Sequence, residues 1–443
     1  MSSEDRWEAP GISLPAAVER FARVLIDAGH AAYLVGGAVR NLLQDRPTDD
    51  WDIATDATPG RVQGLYPRTI PTGIRHGTVT VLLGRRRFEV TTFRTESGYS
   101  DGRRPDAVRF AGTIEEDLAR RDFTINAIAV DLATGVLRDP HGGRDDLAAR
   151  RLRTVGSARE RFAEDGLRPF RGCRLAAELN LTVDGQTVRA MRDALPTARR
   201  VAVERVCEEL RRLLLAPTPS VGLGLLERSG LMELCLPAPS ATAASPAGRG
   251  ARYARIDAAP TDVPQRLAML LAPEDAAAVP AATARAQAAL TRLRFPHAVT
   301  RRVVTAIGSL SIPLTADSSD AAIRRLLAAV GRAAAADAIA VRRAIAKIDA
   351  PLARRVHRQA AAAQALTIGE LAVDGAVLQR ELGLRPGPNI GRLLRALLRA
   401  VLADPAVNDR ARLLDVARAL QDEAADPPAP DSSEEASAAT SCA

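Results

Sequence analysis

At 443 residues and 47.1 kDa the chain is too long for one hydrophobic core, so several domains are expected. Its 47% hydrophobic content suits a globular protein, and no window approaches the roughly 18 uninterrupted apolar residues of a membrane span, which excludes a helical membrane protein. The net charge of +8 is carried almost wholly by arginine, Lys347 being the only lysine. Guanidinium grips phosphate through a planar fork, so the excess points toward a nucleic-acid partner, although a GC-rich coding bias accounts for the Arg-to-Lys ratio. The opening Met1-Ser2-Ser3-Glu4-Asp5-Arg6 has no apolar segment of the secretory kind. Four scattered cysteines, Cys173, Cys207, Cys235 and Cys442, show no metal spacing. Both features fit a reduced, cytoplasmic protein.

Ser13 to Gly29 reads as a helix with Ala17, Phe21, Val24 and Leu25 on one face and Gly29 at its stop. Tyr33-Leu34-Val35 reads as the end of a buried strand, and Gly36-Gly37 as a sharp turn into a short helix over Ala38 to Leu43. Free backbone N–H groups at that helix start, with Arg40 one turn in, make a site for phosphate. The chain returns as a strand bearing Asp50 and Asp52, whose two-residue spacing puts both on one face, with Trp51 and Ile53 on the other. Two carboxylates beside a phosphate cradle are what magnesium-dependent phosphoryl or nucleotidyl transfer requires.

Thr58 to Tyr66 is a short helix with Pro59 in its first turn. Strands follow at His76–Leu83 and Phe88–Arg94 around the turn Gly84–Arg87, with Glu89, Thr91 and Phe93 sharing a face. Thr95 to Gly112 lacks apolar periodicity and reads as a long loop. Thr113-Ile114-Glu115-Glu116 is a capping box opening a helix through Arg121, and a hairpin (Ile128–Leu132, Val136–Asp139) closes this region.

In Glu164-Asp165-Gly166-Leu167-Arg168-Pro169, proline is tolerated only within a first helical turn, so a helix is expected from near Asp165, with Asp165 and Arg168 as i,i+3 neighbours on one face. From Val201 onward the pattern is almost entirely helical. Leu236 to Gly250 reads as a linker, 274–366 as Ala- and Arg-rich helices without a chemical motif, and Asp426 to Ala443 as a disordered tail. Asn389 is suited to cap a helix whose apolar face is Ile390, Leu393, Leu394, Leu397, Leu398, Val401 and Leu402.

The strings Val35–Arg40 with Asp50–Pro59, Arg120-Arg121-Asp122-Phe123-Thr124-Ile125-Asn126-Ala127, and Glu164–Arg174 together resemble the polymerase β-related branch that holds class II CCA-adding tRNA nucleotidyltransferases and bacterial poly(A) polymerases. The resemblance is strongest over Ala32–Leu179 and visible again over Val373–Leu420. It implies an α+β protein: a catalytic head over 1–140 with a mixed sheet, then an all-α neck (141–231), body (232–366) and tail (367–425).

It also implies that Asp50 and Asp52 bind Mg2+, with Glu89 either a third carboxylate or a structural residue. Gly36, Gly37, Arg40 and Arg121 would hold the nucleotide, Asp165 and Arg168 would read its base, and Arg171 and Arg174 would add contacts. Arg103, Arg104 and Asp106 fall in the family's flexible loop, required for adenosine addition. The stretch Leu270-Leu271-Ala272-Pro273 lacks the His-Asp pair of some relatives, so no phosphohydrolase activity is expected. The implied activity is addition of CMP and AMP, from CTP and ATP, to the 3′ end of tRNA. A poly(A) polymerase, an A-adding enzyme and an inactive RNA-binding scaffold are the alternatives.

Overall fold

The computed structural model describes residues 14–74, 77–97, 107–110, 112–236, 246–345, 348–362 and 364–425. They form two compact units, one within 14–271 with 284–301 and one within 272–283 with 302–425.

The first unit begins with α1 (Ala16–Asp27), β1 (Tyr33–Val35), α2 (Gly37–Leu42), β2 (Trp51–Thr55) and α3 (Pro59–Leu65). Then come β3 (Thr69–Gly73), β4 (Thr78–Leu83) and β5 (Arg86–Thr92), followed by β6 (Arg94–Ser97) and β7 (Ala107–Phe110), which pair only with each other. The head closes with α4 (Ile114–Ala119), β8 (Ala129–Asp131) and β9 (Leu137–Arg138). Its seven-stranded sheet runs β3-β4-β5-β2-β1-β8-β9, antiparallel except for the parallel pair β2 and β5. Alternation buries Trp51 and Ile53 of β2, and Phe88 and Val90 of β5, to within 2% of full burial. Phe21 of α1 stacks on Phe88 at 4.4 Å and on Tyr66 at 4.7 Å, which holds the helix to the sheet.

The neck carries α5 (Gly143–Ala148), α6 (Ala158–Glu164), α7 (Arg168–Leu179), α8 (Gly185–Asp193), α9 (Leu195–Ala198), α10 (Val203–Leu215) and α11 (Pro219–Ser229). Helix α7 is buried almost all round. A Cβ on Gly172 would come within 2.9 Å of Met191 Cε and 3.0 Å of Phe123 Cζ. One on Gly222 of α11 would come within 2.6 Å of the Cys173 carbonyl oxygen. Both glycines are therefore packing requirements: they let α7 seat between the head and α11.

The second unit is all helical among its described residues. One core gathers Leu314, Ile323, Leu326, Leu327, Leu352 and Val356; another gathers Leu378, Leu397, Val401, Leu413 and Ala417. Buried Arg324 donates to the carbonyls of Leu402 and Ala403, supplying partners to the end of the helix Pro388–Ala403.

Several expectations change. Strand β3 lies at the sheet edge, half exposed with Pro71 inside it, so no alternation marked it. The ends of the expected long loop, 94–97 and 107–110, are a two-stranded ladder. Helix α4 stops at Ala119, and its Glu116 accepts from Gly112 N (3.0 Å) while Thr113 Oγ1 accepts from Glu116 N. The last long apolar helix starts at Pro388, with Gly387 at the cap position; Asn389 instead accepts from Arg392. Helix α7 starts at Arg168, three residues later than expected, because Asp165 forms a turn of its own by accepting from Leu167 N at 2.9 Å. The expected disordered tail, 426–443, lies outside the described residues.

Candidate active site

Gly36 is the hinge of the head site. Its φ of +71° belongs to the region glycine enters without steric cost. A Cβ there would stand 3.1 Å from Arg121 Nη1 and 3.3 Å from Asp52 Oδ2. Turn, carboxylate and guanidinium are thus pressed together at one backbone position. Asp52 sits in β2 opposite Val35, while Asp50 precedes the strand by one residue and is exposed. Among the described residues neither carboxylate takes part in a side-chain hydrogen bond or an ion pair. Burial pushes the Asp52 carboxyl up to about 6, helped by the neighbouring charges of Asp50 and Glu89 and opposed by Arg121.

Glu89 is the register partner of Asp52 across the parallel pair β2 and β5. Among the described residues, however, no three acidic, histidine or cysteine side chains converge as a metal-binding set. Glu89 nevertheless lies close enough to act on Asp52 through its charge. Two adjacent carboxylates, one half-buried and resisting ionisation because it is buried, have the chemistry of a divalent-cation site.

Arg121, just past α4, lies beside Asp52, and Arg40 of α2 lies beside Gly37. Arg40 donates to Asn126 Oδ1 (2.6 Å) and Asn41 Oδ1 (3.2 Å), and burial holds its guanidinium down to about 10. Arg121 donates to Asp117 Oδ2 (3.2 Å) and the Asn126 carbonyl (3.3 Å). The Nε of each is buried without a partner. Asp117 also takes Arg120; burial would raise its carboxyl, but the two guanidiniums hold it below the usual range.

On the neck, Asp165 and Arg168 are not i,i+3 neighbours on one helix face as expected, and they do not pair with each other. Arg168 donates to Glu164, to the Arg161 carbonyl (3.1 Å) and to the Arg120 carbonyl (3.3 Å), whereas Asp165 Oδ2 takes Arg205 at 3.2 Å. The reason is local: the turn at 165–167 leaves the two outside a common helix, and Glu164, the last residue of α6, reaches Arg168 first. Arg171 pairs with Asp122 at 2.8 Å, and Arg174 with Glu209 (2.5 Å) and Glu178 (2.6 Å).

Three residues were missed by the sequence reading: Asn126, Asp122 and Glu209. They complete a chain of contacts, Arg40–Asn126–Asp122–Arg171–Glu209–Arg174, from α2 of the head to the middle of α7. Asp122 is buried; burial would raise its carboxyl, but Arg171 and Asn126 bring it down to about 2. Its position beside the double arginine was a signal; Glu209, 35 residues beyond Arg174, carried none. The loop residues Arg103, Arg104 and Asp106 lie outside the described residues.

A Gly-Gly turn set against a carboxylate pair, on a mixed sheet followed by a helical neck, defines a nucleotidyltransferase head. The family model for the poly A polymerase head domain matches residues 32–153, that for the RNA and SrmB-binding site of polymerase A matches 180–242, and that for tRNA nucleotidyltransferase domain 2 matches 277–417. The CCA-adding enzyme of Streptococcus gordonii is 37% identical over 390 residues, covering 86% of this chain and 92% of that one. That of Geobacillus stearothermophilus is 36% identical, covering 87% and 92%. The solved CCA-adding enzyme of Bacillus stearothermophilus in complex with CTP superposes with a TM-score of 0.74 at 32% identity, over 92% of this chain and 98% of that one. The Thermotoga maritima enzyme complexed with tRNA shares the fold at a TM-score of 0.63 and 18% identity. The chain belongs to the family of CCA-adding enzymes, nucleotidyltransferases that work with divalent metal ions.

Proposed function

We propose that this protein adds CMP and AMP, from CTP and ATP, to the 3′ end of tRNA without a template. The observation that carries the reading is the carboxylate pair Asp50 and Asp52, which among the described residues forms no ion pair or side-chain hydrogen bond, beside the Gly36 turn and Arg121. The triphosphate lies against the backbone N–H groups of the Gly36-Gly37 turn, with Arg40 and Arg121 supplying cationic donors. Asp50 and Asp52 hold magnesium, which when bound neutralises the triphosphate and acidifies the attacking hydroxyl. Glu89 adds negative potential to the pair. In the reaction the tRNA 3′ oxygen bonds to the α-phosphorus and the α–β bridging bond breaks. Pyrophosphate leaves with the electron pair, and the hydroxyl proton passes to water.

Asp165 and Arg168 read the base. Cytosine and adenine each present an amino donor beside a ring-nitrogen acceptor, which a carboxylate and a guanidinium complement; uracil and guanine reverse that pattern. Asp165 spends only two of its roughly four acceptor positions, on Leu167 and Arg205. Arg171 and Arg174, already paired within the protein, hold α7 in place behind the reading pair and add positive potential toward the nucleotide.

The division of labour is a catalytic head over 1–140 and a base-reading neck over 141–231. The body (232–366) and tail (367–425) hold the rest of the tRNA, in the cytoplasm. Among the described residues no helix is long and apolar enough to cross a membrane. The head model's own name favours a second reading, poly(A) polymerase. Incubation with tRNA lacking its 3′ end and each labelled NTP, singly and together, separates the two. Ordered C, C, A incorporation is expected; AMP runs on any RNA, with no CMP, would overturn the first reading.

A further inference from the structure

A cavity of about 600 Å³ opens where the loop after α2 meets the C-terminal ends of α7 and α10. Its cationic lining is Arg40, Arg46, Arg211 and Arg212, and Glu178 is its single carboxylate. The ion pairing around it is lopsided. Arg211 has a carboxylate of its own, Glu208, at 2.8 Å. Glu178 is taken by buried Arg174 at 2.6 Å and stands 3.8 Å from Arg212. Arg46 donates only to the Glu178 backbone carbonyl, at 3.4 and 3.5 Å. Arg40 donates only to asparagine oxygens and keeps its Nε unpaired and buried. Two guanidiniums, Arg40 and Arg46, thus face one small cavity without an ion pair, and Arg212 has only a 3.8 Å share of a carboxylate already taken by Arg174.

A helix C-terminus attracts one arginine to its carbonyls, and Arg46 fills that role for α7. It does not explain Arg40 and Arg212, which contact no carbonyl there. The remaining polar demand is for a compact, multiply charged anion. RNA backbone fits less well: single strands are held through stacking as well as charge, and no aromatic residue lines the cavity.

We infer that this cavity is a binding site for pyrophosphate, the leaving group, reached past Arg40. The inference rests on the proposed function, because it takes Arg40 as a triphosphate contact and α7 as the nucleotide's bed. Arg168, beside the base-reading site, and Glu178, at the cavity, are ten residues apart on α7, roughly 15 Å along its axis. Arg40 joins the two places: its Nη2 lies 3.6 Å from where a Cβ on Gly37 would stand, at the turn that takes the triphosphate, and it also lines the cavity. Bond cleavage frees the β- and γ-phosphates, and the guanidiniums hold them apart from the newly joined RNA.

The test measures binding and turnover separately on the full chain. Pyrophosphate binding is titrated calorimetrically, without RNA, for the wild type, Arg212→Gln, Arg46→Gln and the double variant. Arg159→Gln serves as a charge-matched control elsewhere on the neck. Loss of one charge-assisted contact should weaken pyrophosphate roughly tenfold, and the double variant more. The control should match the wild type, and pyrophosphate inhibition of CMP addition should weaken in parallel. Arg212, half exposed and without a close partner, can be replaced without unfolding the neck. Unchanged pyrophosphate affinity in Arg212→Gln and the double variant would overturn the inference. So would a raised tRNA KM and a flattened salt dependence with pyrophosphate unaffected, which would make the cavity an RNA-phosphate site. If the wild type bound pyrophosphate as described yet added no nucleotide to tRNA, the proposed function would fall and the cavity assignment would lose the reaction it serves.

Discussion

The head site and helix α7 both concentrate charge, but they handle it in opposite ways. In the head, Asp50 and Asp52 have no ion-pair partner among the described residues, and Asp52 resists ionisation. Along α7 every charge is answered within the protein: Arg168 by Glu164, Arg171 by Asp122, Arg174 by Glu209 and Glu178, and Asp165, just before the helix, by Arg205. The head leaves negative charge for a ligand to neutralise. The neck neutralises its own, so its side chains are held at fixed positions. Under the proposed function, unpaired charge marks where a metal and phosphates are captured, and paired charge marks where geometry must be kept.

The sharpest way to break this contrast is in the head. Asp50→Ala or Asp52→Ala should lower CMP and AMP incorporation by roughly a thousandfold, the scale of losing a principal electrostatic contact in a reaction site. A filter-binding assay should find tRNA affinity within about twofold of wild type. Near-normal incorporation by either variant would remove the pair from the chemistry.

Next in size is Gly36→Ala. It forces a Cβ into a backbone at φ +71° and against Asp52 and Arg121. Strain of this kind costs on the order of 1–3 kcal/mol, and displacement of Asp52 adds to the loss of rate, so kcat should fall by roughly a hundredfold. A crystal structure with Asp52 unmoved and activity retained would show that the close approach is incidental.

On the paired side, Asp165→Ala should act on selectivity more than on rate. The carboxylate proposed to favour an amino group is removed, so the CTP-to-UTP ratio of kcat/KM should fall by roughly 5- to 150-fold, the equivalent of about 1–3 kcal/mol, while Arg40→Ala slows every addition with selectivity intact. If Asp165→Ala keeps wild-type selectivity, its bond to Arg205 is the whole of its role.

The smallest expected effect concerns Asp122. Its folded-state carboxyl is brought from the ordinary 3.8 down to about 2, so the folded state binds its proton less readily than the unfolded chain does. The stabilisation is therefore fully present above about pH 4 and is lost as pH falls toward 2. Because Arg171 is 35% exposed, solvent screening reduces it to about 1–2 kcal/mol. Thermal melts of wild type and Asp122→Asn from pH 2 to 7 should show a wild-type advantage above pH 4 that shrinks below it. Parallel curves across the whole range would mean that the Asp122–Arg171 pair contributes nothing through its charge.

What the sequence determined by itself is local and steric. Gly36-Gly37 had to turn, Trp51 and Ile53 had to face away from Asp52, Gly84 (φ +61°) had to sit in the β4–β5 turn, and Thr113 had to cap α4. Each follows from contacts within a few residues, where backbone sterics and side-chain alternation leave few choices. The apolar helical face from Ile390 to Leu402 was legible for the same reason. Only the tertiary structure decided who pairs with whom. Arg171 meets an aspartate 49 residues earlier and Arg174 a glutamate 35 residues later, and Asp165 turns from Arg168 to Arg205, 40 residues away. The parallel pairing of β2 with β5, which sets Glu89 beside Asp52, likewise depends on a crossover that no local pattern specifies. A guanidinium accepts any carboxylate within reach, so its partner is chosen by how helices and strands pack, and that packing is settled by the buried apolar surface of the whole unit rather than by the charges themselves.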